Sequence, residues 1–200
     1  MDSSVIEKLS LKYAFNDLAV FSNVKCIYDY FKEILEHSNK SRVLIYDSDV
    51  VGHSVILNDT YGVGRDKVFV VENNSKSSLF LLHIDGLLFV KDTKCDCAVI
   101  SYNELNFIEF KSNAINKSEE AINDNYEKAS SQLLSTLRDF RSRYTMLNMS
   151  LDDLVNIECF AVFNRTVPRN SATQKRVSAC FLKESKGVKL KFENSKKILK

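Results

Sequence analysis

The chain has 200 residues, 44% of them apolar and 27% charged, with a formal net charge of +2. That supports one sizeable core, so residues 1–200 are expected to form a single domain. No apolar run approaches bilayer-spanning length and the N-terminal Met-Asp-Ser-Ser-Val-Ile-Glu-Lys lacks a signal-peptide pattern, so no membrane association is expected and the location is expected to be cytoplasmic.

The first predicted elements are helices over 5–19 and 24–37. In the second, Asn23 can cap, and Val24, Ile27, Tyr28, Phe31, Ile34 and Leu35 form one apolar stripe from which Glu33 and Glu36 stand off. Short apolar runs then predict strands at Arg42–Tyr46, Ser54–Leu57, Lys67–Val71, Leu79–Ile84 and Leu87–Lys91, with Asp85-Gly86 as a hairpin turn between the last two. Ideal registers through this meander would put His83 on the face of Asp96, two strands away. Gly62-Val63-Gly64 reads as a turn, without the rest of a nucleotide-binding signature.

Two further runs, Cys95–Ile100 and Leu105–Lys111, flank the polar Ser101-Tyr102-Asn103-Glu104. Pairing residues whose numbers sum to 205 puts Ile100 opposite Leu105, Ala98 opposite Phe107 and Asp96 opposite Glu109. Opposed residues share a sheet face, and Lys111 returns to the face of Glu109. Both strands are apolar at alternate positions on both faces, the pattern of strands covered on each side. Two carboxylates in such surroundings repel and lose hydration, so a cation or a shared proton is expected between them.

A long amphipathic helix follows over 114–145, with Ile115, Ile122, Tyr126, Ala129, Leu133, Leu137, Phe140 and Tyr144 on one stripe and Lys128 and Gln132 beside it. Ile157–Phe163 reads as a strand directly after that helix. Asn164–Gln174 reads as a polar loop holding the lone Pro168, and Arg176–Leu182 with Val188–Phe192 as a hairpin around Ser185-Lys186-Gly187.

The three histidines and five cysteines have no metal-ligand spacing, which disfavours a zinc site and favours buried, reduced thiols. Residues 165–200 carry eleven Lys or Arg against two acidic residues, a net +9 beside −7 for the rest. This basic C-terminal segment suggests contact with a polyanion, with Lys186, Lys189 and Lys191 as candidate nucleic-acid ligands.

Asp96 followed, after a gap of twelve residues, by a strand ending Glu109-Phe110-Lys111, then a helix and another strand, resembles the PD-(D/E)xK nuclease superfamily. The resemblance covers roughly 86–164, and a nuclease-like core is expected over about 79–164. Cys95 stands where the superfamily often has proline. The resemblance implies an α/β, restriction-endonuclease-like fold: a mixed β-sheet flanked by helices on both faces, with an N-terminal helical and β-rich elaboration. It implies a phosphodiesterase dependent on Mg²⁺ or Mn²⁺ and acting on nucleic acid, DNA ahead of RNA, in defence or repair. Asp96, Glu109 and the backbone carbonyl of Phe110 would hold the metal, and Lys111 would act beside them.

The superfamily's helix after Glu-x-Lys often offers a Gln or Lys to the site, here Gln132 or Lys128. One branch pairs such a Gln with a Tyr four residues on, where this chain has Thr136. An accessory acidic residue often comes from a helix before the sheet, here Glu33 or Glu36. Two other readings are a non-catalytic protein of the same fold that binds nucleic acid or a partner protein, and a small interaction or immunity protein. A homodimer or larger complex is compatible with each.

Overall fold

The computed structural model describes residues 9–15, 34–57, 68–89, 93–111, 118–164, 166–167 and 171–198. Expectations for 5–8, 16–33, the glycines at 62 and 64, and Pro168 lie outside these residues, and with them the cap at Asn23, Glu33 and Cys26.

The helices are α1 (Leu11–Ala14), α2 (Glu119–Met146), α3 (Leu151–Leu154) and α4 (Ala172–Glu184). The strands are β1 (Leu35–Ser38), β2 (Arg42–Ser48), β3 (His53–Leu57), β4 (Val68–Glu72), β5 (Leu79–His83), β6 (Cys97–Ser101), β7 (Glu104–Lys111), β8 (Asn156–Phe163), β9 (Lys189–Lys191) and β10 (Ser195–Lys197). They form a six-stranded mixed sheet of order β1-β5-β6-β7-β8-β9 and a four-stranded mixed sheet of order β10-β4-β2-β3. The chain is thus mixed α/β. Among the described residues no helix is long and apolar enough to cross a membrane.

The doubly apolar pattern of β6 and β7 explains the layering. Ala98, Ile100, Leu105 and Phe107 face a core built with Ala129, Leu133, Leu137 and Phe140 of α2. Cys97, Val99, Ile108 and Phe110 face a second core with Val43, Ile45, Phe69 and Val71 of the smaller sheet. The expectation of helices on both faces is therefore corrected: among the described residues, strands cover the second face. Ile115 lies outside the described residues; α2 holds its place through the rest of the predicted stripe, from Ile122 to Tyr144, with Phe107 and Phe140 rings edge-on at 4.9 Å. Ser118 caps it, accepting from the Ala121 N–H.

Four local expectations also change. Helical backbone ends at Ile34, and Leu35–Ser38 is a strand paired antiparallel with β5. A free sheet edge outweighs local helical periodicity there. Leu87–Phe89 is not a strand, because both edges of β5 are already taken, by β1 and β6. Instead Gly86 turns with φ +77°, the Phe89 N–H donates to the Ile84 carbonyl, and Leu88 and Phe89 enter the helix-side core. β5 then pairs β6 directly with His83 opposite Cys97, so His83 lies on the face toward the smaller sheet and not on that of Asp96. Finally, α3 separates α2 from β8.

The largest change is at the C-terminus, where helix α4 and β9, parallel to β8, replace the expected hairpin. Ser171 caps α4 through the Gln174 N–H at 3.1 Å, and Gln174, Val177 and Phe181 bury one stripe. Gly187, at φ +102°, closes the helix by donating to the Leu182 carbonyl. Cys95, Cys97 and Cys159 are buried free thiols as expected, whereas Cys180 on α4 is exposed.

Candidate active site

The β6–β7 hairpin has the register summing to 205, from Cys97 opposite Ile108 to Ser101 opposite Glu104. Ladder pairing stops at Cys97. Asp96 bends away, its carbonyl accepting from the N–H groups of Ile84 and Asp85, while β7 continues through Lys111 paired with β8 alone. Past Cys97 the ladder would bring the Phe110 N–H to a β6 carbonyl. The Asp96 carboxylate takes that bond instead, with Oδ2 at 2.5 Å. Asp96 is thereby fixed beside Glu109, though by a side chain-to-backbone bond and not as the next rung.

Glu109 is 1% exposed. Its Oε1 accepts from the Lys111 ammonium, and its Oε2 has no hydrogen-bond partner. Lys111 also donates to Gln132 Oε1 at 2.7 Å, and the Gln132 amide donates to the Lys94 carbonyl at 3.1 Å. Thr136, in the position of the branch-specific Tyr, accepts from the Cys95 N–H at 2.9 Å and donates to the Gln132 carbonyl. α2 therefore holds both β7 and the segment entering β6.

Loss of hydration raises the Glu109 carboxyl to about 7, against the opposing pull of Lys111. Asp96 is held well above the usual carboxylate range, first by desolvation and then by the charges of Glu109 and Asp47, against the Phe110 N–H and Lys111. Asp47, at the end of β2, and Asp85, after β5, are both raised by desolvation and both feel Lys111. These two carboxylates were not expected at the site. Asp85 reads in sequence only as half of an Asp-Gly turn, and Asp47 lies one residue beyond a predicted strand.

Other candidates lie elsewhere. Glu36 on β1 accepts from the Ile56 N–H at 3.2 Å and faces His83 Nε2 at 3.3 Å. Burial acts to raise Glu36, but the hydrogen bonds from His83 and Ile56 win and hold it low. His83 packs edge-on against His53, centroids 4.7 Å apart. Lys128 is exposed on α2. Lys186 is exposed in the turn after α4, and Lys189 and Lys191 align with Glu158 and Phe160 of β8. Glu158 and Phe160 are five and three residues before Phe163, the partner of Lys111, which puts Lys189 and Lys191 roughly 16 and 10 Å back along the strand direction from the Lys111 end of the sheet. Lys191 is itself paired with Glu158 at 2.6 Å.

Among the described residues no group of three or more His, Cys, Asp or Glu stands ready to hold a metal ion. The donor set nevertheless suits a hard divalent cation: two adjoining carboxylates, of which Glu109 Oε2 is buried without a partner. Mg²⁺ is commonly bound through one or two carboxylates with water completing its shell. No family model matches the chain, and no curated protein or solved structure matches it significantly.

Proposed function

We propose that the chain is a metal-dependent phosphodiesterase of restriction-endonuclease-like fold acting on nucleic acid, with DNA as the preferred substrate. The observation that carries this reading is the buried, unpartnered Oε2 of Glu109 beside Asp96 and Lys111. A buried carboxylate oxygen without a donor is costly; a proton relieves it at low pH, and above that a bound cation would.

Asp96 and Glu109, with the Phe110 carbonyl, would hold Mg²⁺ or Mn²⁺. The bound ion would supply Lewis acidity toward a phosphate and toward a coordinated water. Asp96 is kept in place by the Phe110 N–H. With a cation held by Glu109, Lys111 would be freer to face the phosphate, and Gln132 would hold its ammonium. There it would orient the attacking water or stabilise developing negative charge. Lys186 and Lys189, both exposed, could add sequence-independent phosphate contacts for a long substrate.

One observation favours the second reading, a non-catalytic protein of the same fold: Lys111 is engaged by Glu109, and no third acidic group completes a metal cluster among the described residues. Titration with Mn²⁺, followed by cleavage assays on single- and double-stranded DNA, tests both. Binding with cleavage supports the enzyme. Binding without cleavage supports the non-catalytic protein.

A further inference from the structure

Lys94 lies two residues before Asp96 and is 7% exposed. Its ammonium donates to Ser135 Oγ at 3.2 Å and sits 5.2 Å from the centroid of the Phe89 ring. Among the described residues no carboxylate pairs with it. An ammonium has three N–H donors, and a hydroxyl and a ring face do not neutralise its charge. A nearly buried cation without a counter-ion is costly, and an anion is the group that completes it.

The surroundings are built for an oxyanion. A depression of about 400 Å³ is lined by Thr93, Lys94, Ser131, Gln132 and Ser135: three hydroxyls, an amide and an ammonium, with no carboxylate. Thr93 and Ser131 are exposed, so the depression opens to solvent. Ser131 and Ser135 are one turn apart on α2 and share a face. The backbone here is pinned to α2 at two points, by the Gln132 amide on the Lys94 carbonyl and by the Cys95 N–H on Thr136 Oγ1. Arg138 and Arg176 line the wider groove between α2 and α4, but each is paired, to Glu184 at 3.0 Å and Glu127 at 2.6 Å. Among the described residues, Lys94 is the cation here that no carboxylate pairs.

We propose that Lys94, Thr93, Ser131 and Ser135 form a phosphate seat, which holds a phosphate of the nucleic acid close to the one that is cleaved. The second half rests on reading Asp96, Glu109 and Lys111 as the reaction centre. Gln132 joins the two places, through Lys111 on one side and Lys94 on the other. The ligand chemistry is that of a phosphate mono- or diester, from a strand end or from within a strand.

The test is a backbone-amide NMR titration in chelator, so that no cleavage is required. The probes are inorganic phosphate and one short oligonucleotide with and without a 5′-phosphate. Saturable shifts at Thr93, Ser131 and Ser135 are expected, with Lys94→Met weakening binding by about tenfold or more and Lys94→Arg restoring it. Lys94→Met keeps the apolar stem over Phe89. Ser131→Asp, at an exposed position, checks the seat without touching the buried lysine and should weaken binding similarly. Preference for the 5′-phosphorylated strand would assign the seat to a strand end, and equal binding to an internal phosphate. Absent shifts at these amides, or shifts unchanged in both Lys94→Met and Ser131→Asp, overturn the proposal. If the seat binds phosphate but the wild type never cleaves DNA, the phosphodiesterase reading falls and the seat stands. If the wild type cleaves and Lys94→Met alters neither binding nor KM, the seat falls and the reaction centre stands.

Discussion

Lys111 donates to Gln132 Oε1 at 2.7 Å, a contact that joins the last residue of β7 to the middle of α2. Lys111 also reaches Glu109, so one ammonium is shared between a buried carboxylate and a helix amide. The same Gln132 holds the Lys94 carbonyl. Gln132 thus acts on the site through Lys111 and Lys94, as a positioning residue.

Gln132→Ala should lower kcat by about tenfold or more, the effect expected when a group that orients an acting side chain is lost, and raise KM through the Lys94 segment that it pins. Gln132→Glu keeps an acceptor for Lys111 and should restore part of the rate. Steady-state kinetics on DNA decide it, and an unchanged kcat in Gln132→Ala would remove this role.

The metal-free protein should lose stability as pH rises. Loss of hydration lifts the folded Glu109 carboxyl to about 7 from its ordinary 4.5. The folded state therefore binds the proton more tightly, and the cost of ionising Glu109 grows from about pH 4.5 until it is complete above about pH 7, reaching at most about 3 kcal/mol. Asp96 is shifted in the same direction and adds to the trend. Thermal melts in chelator should show Tm falling across this window. Glu109→Gln stays neutral and should flatten most of the slope, and so should saturating Mn²⁺ in the wild type. A wild-type Tm independent of pH between 5 and 8 contradicts the account of this buried carboxyl.

Asp96 separates charge from hydrogen bonding. Asp96→Asn keeps an oxygen for the Phe110 N–H and removes a charge that Glu109 repels, so its Tm in chelator should equal or exceed that of wild type. Asp96→Ala leaves that N–H unpaired and should cost about 1–3 kcal/mol. Both should lose Mn²⁺ affinity by calorimetry. Wild-type affinity in Asp96→Asn would exclude Asp96 as a ligand.

The centre of the candidate site was legible because it depends on local order. A two-residue turn and apolar alternation on both faces set the register that brings Ala98 to Phe107 and Ile100 to Leu105, and Glu109 and Lys111 share a face by spacing alone. What escaped depends on distant partners. β1 exists because β5 offers an edge, and Asp47 feels Lys111 because the smaller sheet docks beneath β6 and β7, whereas Asp85 does so because it follows β5, the neighbour of β6. α4 was misread for another reason: Val177, Ala179 and Phe181 alternate like a strand, while Val177 and Phe181 also fit one helical turn. The Ser171 cap and Gly187 were the signals that separate the two.

Gly187 offers a test of the revised C-terminus. Its φ is +102°, and a Cβ there would meet nothing within 4 Å, so Gly187→Ala should cost about 1 kcal/mol from backbone strain alone. Urea unfolding measures it. No loss of stability would argue against α4 ending at this glycine.

The most direct test of the reaction centre is single-turnover cleavage of labelled DNA by wild type and Lys111→Met, in Mg²⁺ and in chelator. The account predicts cleavage by wild type only with the metal. It predicts a fall of about a hundredfold or more in Lys111→Met, with DNA affinity retained in Ca²⁺. Failure of the wild type to cut single-stranded, double-stranded or supercoiled DNA with Mg²⁺ or Mn²⁺, or a Lys111→Met rate within about twofold of wild type, would contradict it.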